Sequence, residues 1–255
     1  MHEVIVTGSS SGIGAAVVQS QARLGRRTLG VAHEAAPIVA DLGTAAGRDA
    51  AVRAVLEHSG AVVDALVCSA GLPPTADPAQ IVSVNYFGAI GVLDGLFDAL
   101  RAGTQPAAVL IASTGAVQVP DPAAHPLTVA ILSGDEAAAR AEAAKVDHPL
   151  TAYCLSKYTL VRAMRNRAVR WAAAGVRLNA AAPGPIATPM LAALHADERL
   201  PEQARQFMPP LGRCGEPADV AELVDFLLSP RAAFIHGTVI FIDGGIDALV
   251  RPGSF

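Results

Sequence analysis

The stretch that most restricts this chain is Thr7-Gly8-Ser9-Ser10-Ser11-Gly12-Ile13-Gly14. It follows the apolar run Val4-Ile5-Val6 and opens into Ala15-Ala16-Val17-Val18, a helical pattern that reaches Leu24 and stops at Gly25. Strand, glycine-rich turn and helix, in that order, predict a βα unit whose turn carries a dinucleotide. Gly8 permits a tight turn, Gly12 lets the backbone approach a pyrophosphate, and Gly14 allows helix and strand to pack closely. The helix start offers unpaired N–H groups and a partial positive charge to phosphates. Ser10 and Ser11 add hydroxyl donors, and Ile13 completes the expected cradle. A serine-glycine loop without function would share the composition but would not need the strand before it and the helix after it.

The same alternation recurs along the chain. Apolar runs at Thr28–Ala32, Asp64–Cys68, Ala107–Ser113, Val176–Ala182 and Thr238–Ile242 are separated by helical patterns such as Thr44–His58. This predicts an α/β protein: a single Rossmann-type, doubly wound parallel sheet of about seven strands with helices on both faces. No linker divides it, so residues 1–255 read as one domain. At 255 residues and 52% hydrophobic, the chain can build a full core. A net charge of −4 gives no reason to expect nucleic acid or an anionic membrane as partner. No apolar run is long enough to span a bilayer, and the N-terminus has no signal-peptide pattern. Cys68, Cys154 and Cys214 show no C-x-x-C spacing and read as reduced core residues of a cytoplasmic protein. The histidines are scattered and form no metal-ligand cluster.

Chemistry concentrates in Thr151-Ala152-Tyr153-Cys154-Leu155-Ser156-Lys157, within a pattern that reads as a helix to about Gly175. Residues i and i+4 share a helical face, so Tyr153 and Lys157 point the same way, and Leu160, Met164 and Trp171 continue that face. A lysine among inward-facing residues is rare without a reason. A unit positive charge roughly 4 Å from a phenol, at an effective dielectric of about 20, favours the phenolate by about 4 kcal/mol. That would bring a tyrosine from about 10 to near 7, where acid–base catalysis works best. A core tyrosine beside a surface lysine would show the same spacing.

The G-xxx-G-x-G turn and the Tyr–Lys pair together resemble the short-chain dehydrogenase/reductase family. The resemblance implies that Tyr153 gives or takes the alcohol proton. Lys157 would lower its pKa and bind the nicotinamide ribose. Ser113, at the end of its strand, would orient the substrate oxygen, with Thr114 as the alternative donor. Asn85, in Val84-Asn85-Tyr86-Phe87-Gly88, would support the proton relay. It further implies cofactor contacts from Asp41 and Leu42 to adenine, and from Ala70 and Gly71 to the nearby backbone approach. Pro183, Gly184, Ile186 and Thr188 would hold the nicotinamide. Two departures stand out. Cys68 and Ser69 replace the paired asparagines usual before Ala70-Gly71, so polar bracing there must differ. Ala32, followed by His33 and Glu34, stands where a carboxylate usually holds the adenosine ribose. The 2′-hydroxyl loses that partner, yet no Arg or Lys follows to welcome a 2′-phosphate. NAD(H) is favoured over NADP(H), with the choice unresolved.

Residues 116–150 are a long interval between Ser113 and Tyr153. Ser133-Gly134-Asp135-Glu136 reads as a capping box before an Ala-rich helix, Ala137–Val146. This inserted helix, with Val82–Gly88, Gln105–Val109 and Asp243–Ala248, resembles one subgroup, the bacterial 3α-hydroxysteroid dehydrogenase/carbonyl reductases. That implies a homodimer and a hydrophobic alcohol or ketone substrate: 3-keto or 3α-hydroxy steroids, with wider carbonyl reduction. Residues 185–212 read as a substrate loop or lid, in which Met190, Leu191 and Leu194 are the expected apolar contacts. The alternatives are a reductase of another bulky hydrophobic ketone (terpenoid, quinone or xenobiotic) and a non-catalytic dinucleotide sensor.

Overall fold

The computed structural model describes residues 3–200, 202 and 207–254. Its strands are β1 (Glu3–Thr7), β2 (Arg27–Ala32), β3 (Ile38–Val39), β4 (Ala65–Cys68), β5 (Ala107–Ile111), β6 (Arg177–Pro183) and β7 (Val239–Ile242). They form one seven-stranded sheet in the order β3-β2-β1-β4-β5-β6-β7, every pair parallel. The doubly wound fold expected from the alternation is the one observed. β3 escapes the sequence pattern because it is two residues long and pairs only through Val31↔Ile38 and Ala32↔Val39.

Period-2 alternation divides the core into two layers. Val4 and Val6 of β1 pack with Val67 and Val109 beneath helices α1 (Gly12–Arg23) and α10 (Pro217–Leu228), through Val17, Val220, Val224 and Leu227. Ile5, Leu66, Leu110 and Leu178 point to the other face. There they meet α2 (Ala45–Ser59), α4 (Ala89–Gly95) and α8 (Pro149–Ala173). α8 starts with Pro149 at its first position, where a missing N–H costs nothing. His148 caps it, its Nδ1 accepting from Leu150 N–H at 3.0 Å. Leu155, Leu160, Met164 and Trp171 are buried along the expected face, whereas Arg165 and Arg170 are exposed.

Further helices among the described residues are α3 (Pro78–Val82), α5 (Phe97–Arg101), α6 (Pro126–Leu132), α7 (Glu136–Ala143), α9 (Pro189–His195) and α11 (Ile246–Val250). The insertion thus holds two helices rather than one. The cap of α7 is Asp135, whose carboxylate accepts from Ala138 N–H at 2.9 Å. Ser133 instead ends α6, its hydroxyl donating to Ala130 O. The expected Ser–Glu capping box is therefore not formed; the N-cap falls two residues later, because Gly134, at φ +82°, turns the chain between the helices. Leu127, Ile131, Ala139 and Ala143 are fully buried, so the insertion is part of the core. A six-residue π-helical segment, Ser83–Gly88, joins α3 to α4 and carries Asn85. Among the described residues no helix is long and apolar enough to cross a membrane. Cys68 and Cys154 are buried free thiols, as expected; Cys214 is only half-buried, in the loop before α10.

Candidate active site

In a doubly wound sheet the crevice opens at the carboxyl ends of strands where the order reverses. Here that is the gap between β1 and β4, since β2 and β3 lie on one side and β4 to β7 on the other. A cavity of about 1270 Å³ occupies it. That exceeds the roughly 300–1,000 Å³ of a single small-ligand pocket and suits a dinucleotide with a second molecule beside it.

The nucleotide half is built by close approach. Gly8 sits at φ +69°, and a Cβ there would come within 2.8 Å of the Ala70 backbone. Thr7 Oγ1 accepts from both Ser69 N–H and Ala70 N–H at 3.1 Å, tying the ends of β1 and β4 together. This polar bracing uses backbone donors and needs no side chain from Cys68 or Ser69. Ser11 caps α1 in an extended conformation without a side-chain cap bond, which leaves the first-turn N–H groups of α1 for an anion. Gly8, Ser10, Ser11, Gly12 and Ile13 all border the cavity. Gly14 does not: a Cβ on it would strike Gly8 O at 2.1 Å, so its task is helix–strand packing. Ala32 and His33 border the cavity at the end of β2, with His33 Nε2 turned toward Glu34 Oε1 at 3.6 Å. Asp41 and Leu42 border it too, and Asp41 Oδ1 accepts from Gly43 N–H at 2.9 Å, which shapes the turn into α2. Ala70 and Gly71 complete that wall.

The reacting end gathers residues from three elements. Tyr153 and Lys157 of α8 both face the cavity, with Lys157 Nζ 5.8 Å from the Tyr153 ring centroid. Lys157 is buried and donates to Ile111 O at 2.8 Å. Burial brings its pKa from 10.5 down to about 8, the Cys68 thiol opposing slightly. Burial also pushes the Tyr153 phenol up to about 12, against the pull of the Ser113 hydroxyl, with Cys154 adding to the rise. The expected fall of the phenol toward neutrality is therefore corrected. Desolvation is the largest influence on the phenol and wins, while the lysine ammonium is engaged with the Ile111 carbonyl.

Ser113 follows β5 and its Oγ accepts from Gly115 N–H at 3.0 Å, which leaves the hydroxyl hydrogen for an acceptor in the cavity. Thr114 also borders the cavity, but its hydroxyl donates to Pro183 O at 3.4 Å. Ser113 is thus the better-placed donor. Asn85 is fully buried and does not reach the cavity wall. Its Oδ1 accepts from Leu72 N–H at 2.7 Å and its Nδ2 donates to Leu72 O at 3.2 Å, so both ends of the amide brace the loop after β4.

Pro183, Gly184, Ile186 and Thr188 line the side below β6. This loop is clamped by residue 215, through Ala187 N–H to Gly215 O at 2.8 Å and Gly215 N–H to Pro185 O at 2.9 Å. Beyond it, α9 brings Met190, Leu191 and Leu194 to the cavity as expected. Leu150, Leu200, Phe207, Ile246 and Val250 join them, and sequence reasoning missed these five. Nothing local marks them; α8, the lid and α11 meet only in three dimensions. Within the 185–212 segment, residues 201 and 203–206 lie outside the described residues. Cys154 was also missed as a wall residue: a Cβ on Gly115 would sit 3.1 Å from its Sγ, 3.4 Å from Ser113 Oγ and 3.5 Å from Tyr153 Cε1. Among the described residues no group of three His, Cys, Asp or Glu side chains could hold a metal ion.

Residues 137–247 match the family model described as Enoyl-(Acyl carrier protein) reductase. A 3-alpha-hydroxysteroid dehydrogenase/carbonyl reductase of Comamonas testosteroni is 43% identical over 258 residues, covering 100% of both chains. A galactitol 2-dehydrogenase (L-tagatose-forming) of Cereibacter sphaeroides is 32% identical, covering 94% of this chain and 92% of that one. The crystal structure of the 3-alpha-hydroxysteroid dehydrogenase from Pseudomonas sp. B-0831, complexed with NADH, superimposes with a TM-score of 0.97 at 48% identity, covering 99% of this chain and 100% of that one.

Proposed function

The chain belongs to the short-chain dehydrogenase/reductase family of NAD(P)-dependent oxidoreductases, and we propose that it interconverts 3-keto and 3α-hydroxy steroids and reduces other apolar ketones. The carrying observation is the apolar wall of Leu150, Met190, Leu191, Leu194 and Ile246, in the same cavity as Tyr153 and Ser113. A flat, mostly apolar ligand with one polar oxygen fits that distribution.

The residues present fit a dinucleotide. Gly8 and Gly12 border the cavity with no side chain of their own, and the uncapped start of α1 suits a pyrophosphate. Gly8 to Ile13 would hold the phosphates, Asp41 and Leu42 the adenine, Lys157 the nicotinamide ribose, and Ile186 with Thr188 the carboxamide. When bound, the cofactor supplies or accepts the hydride. NAD(H) is the favoured form, since the end of β2 carries Glu34 and no Arg or Lys to receive a 2′-phosphate.

Ser113 donates to the substrate oxygen and holds it toward Tyr153. The phenol, kept protonated by burial, donates its proton to that oxygen as a carbonyl becomes an alcohol. In the reverse direction it accepts the proton. Lys157, near 8, keeps a positive charge close to the phenol while remaining able to exchange a proton at neutral pH. Asn85 acts by holding Leu72 and the loop after β4, a positioning role that a proton relay would add to.

Following the absorbance of NADH and NADPH against a 3-keto steroid and a panel of non-steroid ketones tests the reading. Turnover of the steroid with NADH is expected. Turnover of other ketones alone would move the substrate to a terpenoid, quinone or xenobiotic. Cofactor binding without any turnover would favour the sensor, although a sensor has no need of both Tyr153 and Lys157 in the cavity. A homodimer is also inferred from the subgroup resemblance, and α6 and α7, packed on α8 and α3, close those helix surfaces to a further subunit. Sedimentation at the mass of a single 26.0-kDa chain would overturn that inference.

A further inference from the structure

The insertion reaches the nucleotide end of the cavity as well as the outside of α8. Helix α7 presents Glu136 and Arg140, one turn apart, toward α3, the π-helical segment and the loop at Leu42. Glu136 pairs with Arg48 of α2, Arg48 Nη1 lying 3.4 Å from Glu136 Oε1 and Nη2 2.5 Å from Oε2. Arg48 is buried, and its Nη1 also donates to Leu42 O at 3.2 Å. A chain of contacts thus runs from the insertion to the backbone of a residue in the nucleotide wall. The fit there is tight, since a Cβ on Gly88 would lie 3.0 Å from Leu42 O, and one on Gly91 2.9 Å from Arg48 Cδ.

Arg140 itself borders the same cavity, whose lining also includes Leu42, Gly43, Thr44, Ser83 and Val84. Its Nη1 donates to the buried Ser83 Oγ at 2.8 Å and approaches Ala79 O at 3.5 Å. Among the described residues no carboxylate pairs with it. A guanidinium carries five N–H donors and no acceptor, so most of its donors stay available at the cavity rim. The ligand suited to that rim is rich in acceptors and flat, because a guanidinium both donates in plane and stacks.

We propose that helix α7 of the insertion forms a wall of the adenosine pocket, with Arg140 contacting the adenosine half of the cofactor and Glu136, through Arg48, positioning the Leu42 loop. The insertion then sets dinucleotide affinity. This rests on the dinucleotide reading above.

The test is equilibrium binding of NADH, NADPH and ADP-ribose to the full chain and to Arg140→Met, by isothermal titration. Arg140 is exposed, so the variant should fold, and a thermal melt checks it. Loss of a charge-assisted contact should raise all three dissociation constants by about tenfold. ADP-ribose has no nicotinamide, so an equal loss for ADP-ribose and NADH places the contact on the adenosine half. ADP-ribose affinity within about twofold of the parent, well under the 1.4 kcal/mol of a tenfold change, overturns the proposal. A loss confined to NADPH also overturns it, by assigning Arg140 to a 2′-phosphate instead. Glu136→Gln, which keeps a hydrogen-bond acceptor for Arg48, should weaken ADP-ribose less than Arg140→Met. Arg140→Lys should recover part of the affinity. If the parent chain binds no dinucleotide, the oxidoreductase reading fails; if the parent binds and Arg140→Met binds equally, only this inference fails.

Discussion

Lys157 Nζ donates to the carbonyl oxygen of Ile111, the last residue of β5, at 2.8 Å. The bond fixes a buried ammonium between α8 and the strand end that leads to Ser113. Burial is the largest influence on the Tyr153 phenol beside it and raises its pKa, with the Ser113 hydroxyl pulling the other way.

Tyr153 is the proton donor in the proposed reaction. Tyr153→Phe keeps the ring and its packing and removes only the hydroxyl. Turnover should fall by about 10²–10⁴-fold, the usual contribution of a positioned acid or base. Cofactor affinity, measured by fluorescence quenching, should stay near the parent value. Full activity in the Phe variant would remove Tyr153 from the mechanism.

The buried Lys157 costs stability. Its folded-state pKa of about 8 lies below the ordinary 10.5, so between those values the unfolded chain holds the extra proton and stability rises with pH. Below about 8 the penalty is fully present, at most roughly 3 kcal/mol. Lys157→Met should therefore melt higher than the parent at pH 7, with the advantage shrinking as pH climbs toward 10.5, while losing turnover. Loss of the bond to Ile111 O reduces the gain. A variant that melts lower at neutral pH by the same amount as at alkaline pH would contradict this account.

Ala32 stands at the end of β2, on the cavity wall. Ala32→Asp puts a carboxylate where a ribose 2′-hydroxyl would bind and a 2′-phosphate would be repelled. Like-charge contact costs several kcal/mol, so the NADH-to-NADPH ratio of kcat/KM should rise by about tenfold or more. An unchanged ratio would show that Ala32 is not at the ribose.

Thr7 holds two backbone N–H groups with one hydroxyl oxygen. Thr7→Val keeps the shape and leaves Ser69 and Ala70 N–H without that acceptor. Each buried donor left unpaired costs about 1–3 kcal/mol, so urea unfolding should lose about 2 kcal/mol or more. Cofactor affinity should weaken as well, since Ala70 borders the cavity. A change under about 0.5 kcal/mol, the ordinary range for a surface substitution, would mean that water replaces the hydroxyl at no cost.

Much of the site was legible because its signals are local. Gly8 and Gly12 declare a turn that side chains would obstruct, and Tyr153 with Lys157 declares a shared helical face through spacing alone. Alternating apolar strands and helices declare the doubly wound sheet, since each pattern must bury its own face. Gly14 and Asn85 were recognised as part of the same machinery, but their places behind the cavity wall depend on Gly8 O and Leu72, residues that no pattern pairs with them.

The rest required chain segments far apart in sequence to meet. Whether Tyr153 titrates above or below its ordinary value depends on how much water the folded walls exclude and on which acceptor Lys157 finds; spacing contains neither quantity. The apolar substrate wall joins α8, the lid and α11, and the insertion's approach to the nucleotide pocket joins α7 to α2 across 88 residues. Local periodicity specifies which face of an element is buried. Only the packing of all elements at once specifies what that face is buried against, and with it the electrostatics and shape of the site.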